Sequence, residues 1–146
     1  MLAESAVRRV YEFHDFLELW LGGVMPYDVA AVHAQIGNFD PEFQCLPPTG
    51  LVQTRDALLN RLLKAFESQP GLSIAIENVN VRRTHQDMVL LTYEEHQLRR
   101  RRSNRRLSSA VFVADPGGTS TSRWFHLHEL TLENALPGAL AAPQTN

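Results

Sequence analysis

In LSIAIENVNVRRTHQDMVLLTYEEHQL, residues 72–98, the apolar repeat drops from the roughly 3.6-residue period of helices to the period of 2 expected of strands. Within it, Ile74 and Ile76 share one strand face while Val79 and Val81 share the opposite one. One extra residue near Glu77-Asn78 reconciles the two sets, which predicts a β-bulge and a sharp bend there. Residues 88–93 carry a second signal. Val89, Leu91 and Tyr93 alternate with Met88, Leu90 and Thr92, so the strand is apolar on both faces. An antiparallel sheet with one wet face would show polar residues at every second position. Both faces therefore need cover. Helices can cover one, and a second copy of the chain, docked on the outer sheet face, is the simplest cover for the other.

Downstream and upstream segments complete the pattern. Strands are predicted at 72–83, 88–98, 106–115 and 123–133, with turns at His85-Gln-Asp87 and Asp115-Pro-Gly-Gly118. Before them, Ala6, Val10, Phe13, Leu17 and Trp20 make one apolar stripe of a helix over 3–21, closed by Gly22-Gly23. Pro26 opens a second helix to Ile36. Residues 39–47 alternate loosely as a short strand or extended arm, and Pro47-Pro-Thr-Gly50 is a turn. Thr54 caps a third helix to Glu67, with Leu58, Leu59, Leu62, Leu63 and Phe66 as its buried face. Helices first and an antiparallel meander after them is the α+β signature. Residues 1–133 make one domain, and 134–146, rich in Ala, Pro and Gly, a C-terminal tail.

With 44% hydrophobic and 21% charged residues, the chain has apolar material for one core, which argues against disorder. No run is long and apolar enough for a transmembrane helix, and the charged N-terminus argues against a signal peptide. Cys45 is the single cysteine, so an internal disulfide is impossible and a reducing cytoplasm is the expected compartment. The net charge of −2 is unevenly spread: residues 1–80 hold ten acids and five bases, residues 81–146 six acids and nine bases. Six of those nine bases fall in Arg99-Arg-Arg-Arg-Ser-Asn-Arg-Arg106, expected as a long hairpin loop that is either solvated or paired with the acidic N-terminal half of a partner subunit. Without an aromatic stacking residue or a recognition helix, and in an acidic chain, nucleic-acid binding is disfavoured.

Several short motifs in order carry a family resemblance. They are Phe13 with Trp20-Leu-Gly-Gly23, Asp40-Pro-Glu-Phe43 leading to Pro48-Thr-Gly50, the helix 55–66, Val89-Leu-Leu-Thr-Tyr93, Ser109-Ala-Val-Phe112 and Arg123-Trp-Phe-His-Leu-His-Glu129. Together they resemble the nuclear transport factor 2-like superfamily, nearest its SnoaL-like and uncharacterised bacterial branches, over about residues 5–133. The Trp-x-x-x-His ending also resembles the association domain of calcium/calmodulin-dependent kinases. The resemblance implies a cone-shaped half-barrel: three helices packed on a strongly bent, mostly antiparallel sheet, around a conical pocket, with frequent dimerisation through the outer sheet. It does not imply one activity, since members include isomerases, dehydratases, cyclases, carriers and oligomerisation hubs.

Trp20, Phe39, Phe43, Tyr93 and Trp124 are the expected pocket lining. Strand alternation places His126 and His128 on one face with Trp124, which makes both histidines candidates for acid–base work, with His128 in a position that resembles the pocket-facing His of related domains. Glu95 shares a face with Tyr93; it serves either as a base with a pKa raised by burial, or as a partner of nearby arginines. No metal site is expected, because His126-x-His128 has no second His or Cys cluster near it, and no cofactor is expected. Two functions stay open. One is a pocket protein for a small, largely apolar molecule, acting as an isomerase, dehydratase or hydrolase without a cofactor. The other is a dimerisation or interaction module with a vestigial pocket.

Overall fold

The computed structural model describes residues 1–132. In chain order the elements are α1 (Leu2–Leu21), α2 (Val29–Ile36), β1 (Phe39–Leu46), β2 (Gln53–Thr54), α3 (Arg55–Lys64), β3 (Ser73–His85), β4 (Met88–Arg99), β5 (Arg102–Asp115) and β6 (Gly118–Leu132). Three helices pack on one open, six-stranded sheet of order β2-β1-β6-β5-β4-β3. Only the β1–β6 pairing is parallel; the other ladders are antiparallel. The α+β class stands. The two-residue strand β2 was not expected, and the predicted tail lies outside the described residues.

Local chemistry explains the boundaries. Asp28 accepts hydrogen bonds from the backbone N–H groups of Ala30 and Ala31, so α2 begins at Val29 and not at Pro26. Thr54 caps α3 through the Ala57 N–H, as predicted, but the helix stops at Lys64 and Glu67 adopts a left-handed φ of 58°. Its backbone N–H and that of Gln69 then donate to the Trp20 and Leu21 carbonyls, tying the end of α3 to the end of α1.

The sheet bends where the ladder is irregular. In β3 the register shifts between Glu77 and Asn80, and Asn78 sits at φ 54°. This is the anticipated bulge; it brings Ile76 and Val79 onto the same packed face. A second irregularity lies in β6. Val111 pairs with His126 but Phe112 pairs with Trp124, so Phe125 has no counterpart on β5. The concave face holds the core, where Val10, Trp20, Phe39, Phe43, Leu91, Phe112 and Trp124 are fully or almost fully buried. Phe39 stacks on Trp124 with centroids 5.5 Å apart, and Phe13 meets both edge-on.

Residues 99–106 are not a loop. β4 runs to Arg99 and β5 starts at Arg102, leaving Arg100 and Arg101 as the tip of a tight hairpin, with Arg100 at φ 56°. The strands persist because Gln97 pairs with Asn104 and His96 with Arg105 in unbroken register.

Candidate functional site

α1 crosses the concave face, and its residues Phe13, His14, Leu17 and Leu21 form one wall of a cavity of about 260 Å³. Phe39, Phe43 and Cys45 of β1 and Leu58, Arg61 and Leu62 of α3 form a second wall; Glu95 and Gln97 of β4, Arg106 of β5, and Leu127 and Glu129 of β6 supply the sheet side. The volume sits just under the roughly 300–1,000 Å³ usual for ligand pockets, so the cavity suits a small molecule. The polar groups come from all sides: His14 from α1, Arg61 from α3, Gln69 from the turn after it, and Glu95, Gln97, Arg106 and Glu129 from the sheet.

The deepest of them form a buried pair. His14 is 4% exposed and Glu95 2% exposed. His14 Nδ1 donates to the Val10 carbonyl oxygen at 2.7 Å, one helical turn back, and Nε2 faces Glu95 Oε1 at 3.2 Å. Both partners are acceptors once Glu95 is ionised, so both ring nitrogens carry hydrogen and the ring is an imidazolium. Burial alone would lower the His14 pKa, but the hydrogen bond and charge of Glu95 outweigh it and the net shift is upward. Burial likewise opposes ionisation of Glu95, yet His14, then Gln97, then Arg106 hold its carboxyl at about 2. Gln97 donates to the other Glu95 oxygen.

A second carboxyl behaves oppositely. Burial is the largest influence on Glu129 and raises its pKa; Arg106 opposes this, the Glu95 charge adds to it, and the net direction is up. Arg106 Nη1 lies 3.5 Å from Glu129 Oε2, a long contact. The Arg106 Nε–H is buried and, among the described residues, has no acceptor. Cys45 Sγ points at Glu129 Oε1 at 3.8 Å, and its thiol is pushed to about 12, first by burial and then by the Glu129 charge. The cavity thus holds one fixed ion pair, one carboxyl whose pKa burial raises, the guanidinium groups of Arg61 and Arg106, and a thiol too basic to be a nucleophile near neutrality.

Of the residues expected to line the pocket, Phe39, Phe43 and Glu95 do. Trp20, Tyr93 and Trp124 are buried core residues behind the wall: Trp20 Nε1 donates to the Leu62 carbonyl at 2.7 Å, and Trp124 packs against Phe39 and Phe112. His126 and His128 are not in the cavity. The Phe125 irregularity turns the strand over, so Leu127 and Glu129 face inward, while His128 is exposed on the outer sheet face beside Ser109 and Leu130. They are not brought together with any third metal ligand, and no metal-binding group of three occurs among the described residues. Glu94 takes the predicted ion-pair role instead, bound through two hydrogen bonds by Arg105 at 2.8 and 3.1 Å.

The residues that were missed are His14, Gln97, Arg106 and Glu129. His14 did leave a trace, since it lies four residues after Val10 and three before Leu17, on the apolar stripe of α1. Arg106 was hidden by the loop assignment and Glu129 by the unsignalled bulge.

No family model matches the chain, and no curated protein matches it in sequence. Solved structures do. An NTF-2-like protein of unknown function from Pseudomonas aeruginosa is 26% identical with a TM-score of 0.78, over 88% of this chain and 98% of that one. A scytalone dehydratase-like protein from Novosphingobium aromaticivorans, 12% identical, superimposes with a TM-score of 0.65 over 89% of this chain and 83% of its own. The association domain of C. elegans CaMKII, also 12% identical, reaches 0.65 over 88% and 95%. The fold shared with these structures, together with the 26% identity to the Pseudomonas protein, makes this chain a member of the nuclear transport factor 2-like superfamily.

Proposed function

We propose that the cavity binds a small, largely apolar carbonyl compound and moves a proton on it without a cofactor, as an isomerase or dehydratase would. The observation that carries this is the pairing of a buried carboxyl of raised pKa, Glu129, with the unpartnered Nε–H of Arg106 on the same wall. A general base works best with a pKa near the operating pH, which favours Glu129 over the strongly acidic Glu95. In this scheme Glu129 takes the proton from carbon next to the carbonyl, Arg106 donates to the oxyanion that forms, and Glu129 returns the proton elsewhere on the molecule. His14 and Glu95 touch neither atom. They keep a neutral pair under the reacting centre and fix Gln97. The apolar walls exclude water and strengthen the Arg106 interaction.

The test is isomerisation of small β,γ-unsaturated ketones such as cyclohex-3-enone, followed by the absorbance of the conjugated product. Glu129→Gln should lose about 100-fold or more, and His128→Ala should keep full activity. Equal rates for Glu129→Gln and the native protein would overturn the assignment.

A second property is favoured by the outer sheet face. Met88, Leu90, Leu107 and Leu130 are substantially exposed there on neighbouring strands. The similarity to an association domain supports the same idea, and we propose that two copies pair through this face. The buried lone cysteine suits a reducing compartment such as the cytoplasm.

A further inference from the structure

On the concave face of the β4–β5 hairpin, three cross-strand pairs lead away from the buried dyad: Glu95 opposite Arg106, Gln97 opposite Asn104, and Arg99 opposite Arg102. Strand alternation keeps all six side chains on the cavity's face. The hydrophobic core ends where this ladder begins. Gln69, Gln97 and Arg106 border the cavity and also a groove that continues along the hairpin to Arg99 and Arg102. The groove opens at its far end into a wider hollow between residues 99–102 and the Ser68 to Pro70 turn. Among the described residues, none of the four arginines 99–102 makes an ion pair, and the four stand next to one another in sequence. Four adjacent guanidinium groups repel one another. Two of them are aimed along a groove that leads to a reaction chamber, a disposition that suits forked recognition of phosphate oxygens.

We propose that the substrate carries a phosphate-bearing handle, gripped by Arg99 and Arg102, with its apolar reacting end in the cavity. This rests on the cavity being a substrate site, as argued above. Arg106 lies four strand steps beyond Arg102, which sets the handle about 13 Å from the reacting centre. Two kinds of molecule share this chemistry: an acyl thioester on a phosphopantetheine-type tail, and a shorter organic diphosphate.

The experiment compares each with its handle-free counterpart by calorimetric titration of the full chain: hexanoyl-coenzyme A against hexanoyl-N-acetylcysteamine, and geranyl diphosphate against geraniol. In at least one pair the phosphate compound should bind about tenfold tighter or more, a modest yield for two charge-assisted contacts. The advantage should shrink as salt is raised. Which pair shows it identifies the handle. In Arg99→Ser/Arg102→Ser the advantage should vanish while the neutral member's affinity and the melting temperature stay unchanged. If the neutral compounds bind and phosphate adds nothing in either pair, the handle is wrong and the cavity assignment survives. If the advantage persists in the double variant, the arginines are not the grip and the proposal falls. If no compound of either kind binds, it falls together with the cavity assignment.

Discussion

Replacing Glu95 by Gln removes one charge of the buried pair while keeping its shape. A carboxyl lowered from the ordinary 4.5 to about 2 in the folded state corresponds to about 3 kcal/mol in favour of folding at neutral pH. Because the folded value is the lower one, this contribution is complete above about 4.5 and is lost as pH falls towards 2. His14 works in the other direction: its raised folded pKa gives a contribution that is complete below the ordinary 6.5 and fades as pH rises through the folded value. The stability difference between the native protein and Glu95→Gln should therefore form a plateau. It should be about 2–4 kcal/mol at pH 5–6, the usual order for breaking a buried pair, fall steeply below 4.5 and decline again on the alkaline side. Urea denaturation of both proteins at a series of pH values measures it, and other titrating groups cancel in the difference. A difference that is flat with pH, or below about 1 kcal/mol throughout, would refute the imidazolium–carboxylate assignment.

Trp124→Ala should cost about 3–5 kcal/mol, since it empties the space between Phe39 and Phe112, while His128→Ala on the outer face should cost about 0.5 kcal/mol or less; thermal melts of the two variants decide. Arg100→Ser/Arg101→Ser alters only the hairpin tip and should leave stability within about 0.5 kcal/mol, with loss of folding showing that the tip is structural. Cys45, with a thiol at about 12, should react with an aromatic disulfide reagent at pH 7 far more slowly in the native than in the urea-unfolded chain. Sedimentation at micromolar concentration should give about twice the 16.5 kDa chain mass, and Leu90→Lys should give the monomer; a native protein that sediments as a monomer contradicts the outer-face pairing.

The strands at residues 72–98 were legible because alternation is a local property, and the β3 bulge because it left two apolar sets out of phase. The β6 irregularity left no such mark. Phe125, Leu127, Trp124 and His126 are all plausible on an inward face, so the pattern could not say where the strand turned over, and the wrong pair of polar residues was assigned to the cavity. The hairpin at 99–106 failed for a different reason: a run of arginines resembles a solvated loop, and only its cross-strand partners, far apart in sequence, extend the strands through it. His14 is a third kind of miss. A histidine on an apolar helix face becomes chemically meaningful only when the fold delivers a carboxylate to it, and Glu95 lies 81 positions away.

The unpaired Phe125 makes β6 a parity switch. Deleting that single residue would leave Trp124 and His126 in unbroken register with Phe112 and Val111, and Leu127 and Glu129 still facing the cavity; pairing Phe125 as an ordinary strand residue would instead carry Leu127 and Glu129 to the outer surface and present His126 and His128 to the cavity. Whether one residue is bulged out or paired thus separates a carboxyl-lined chamber from an imidazole-lined one on the same scaffold. Gain or loss of the bulge at this point, more than substitutions in the wall, is the step by which such a chamber would exchange one set of acid–base groups for another.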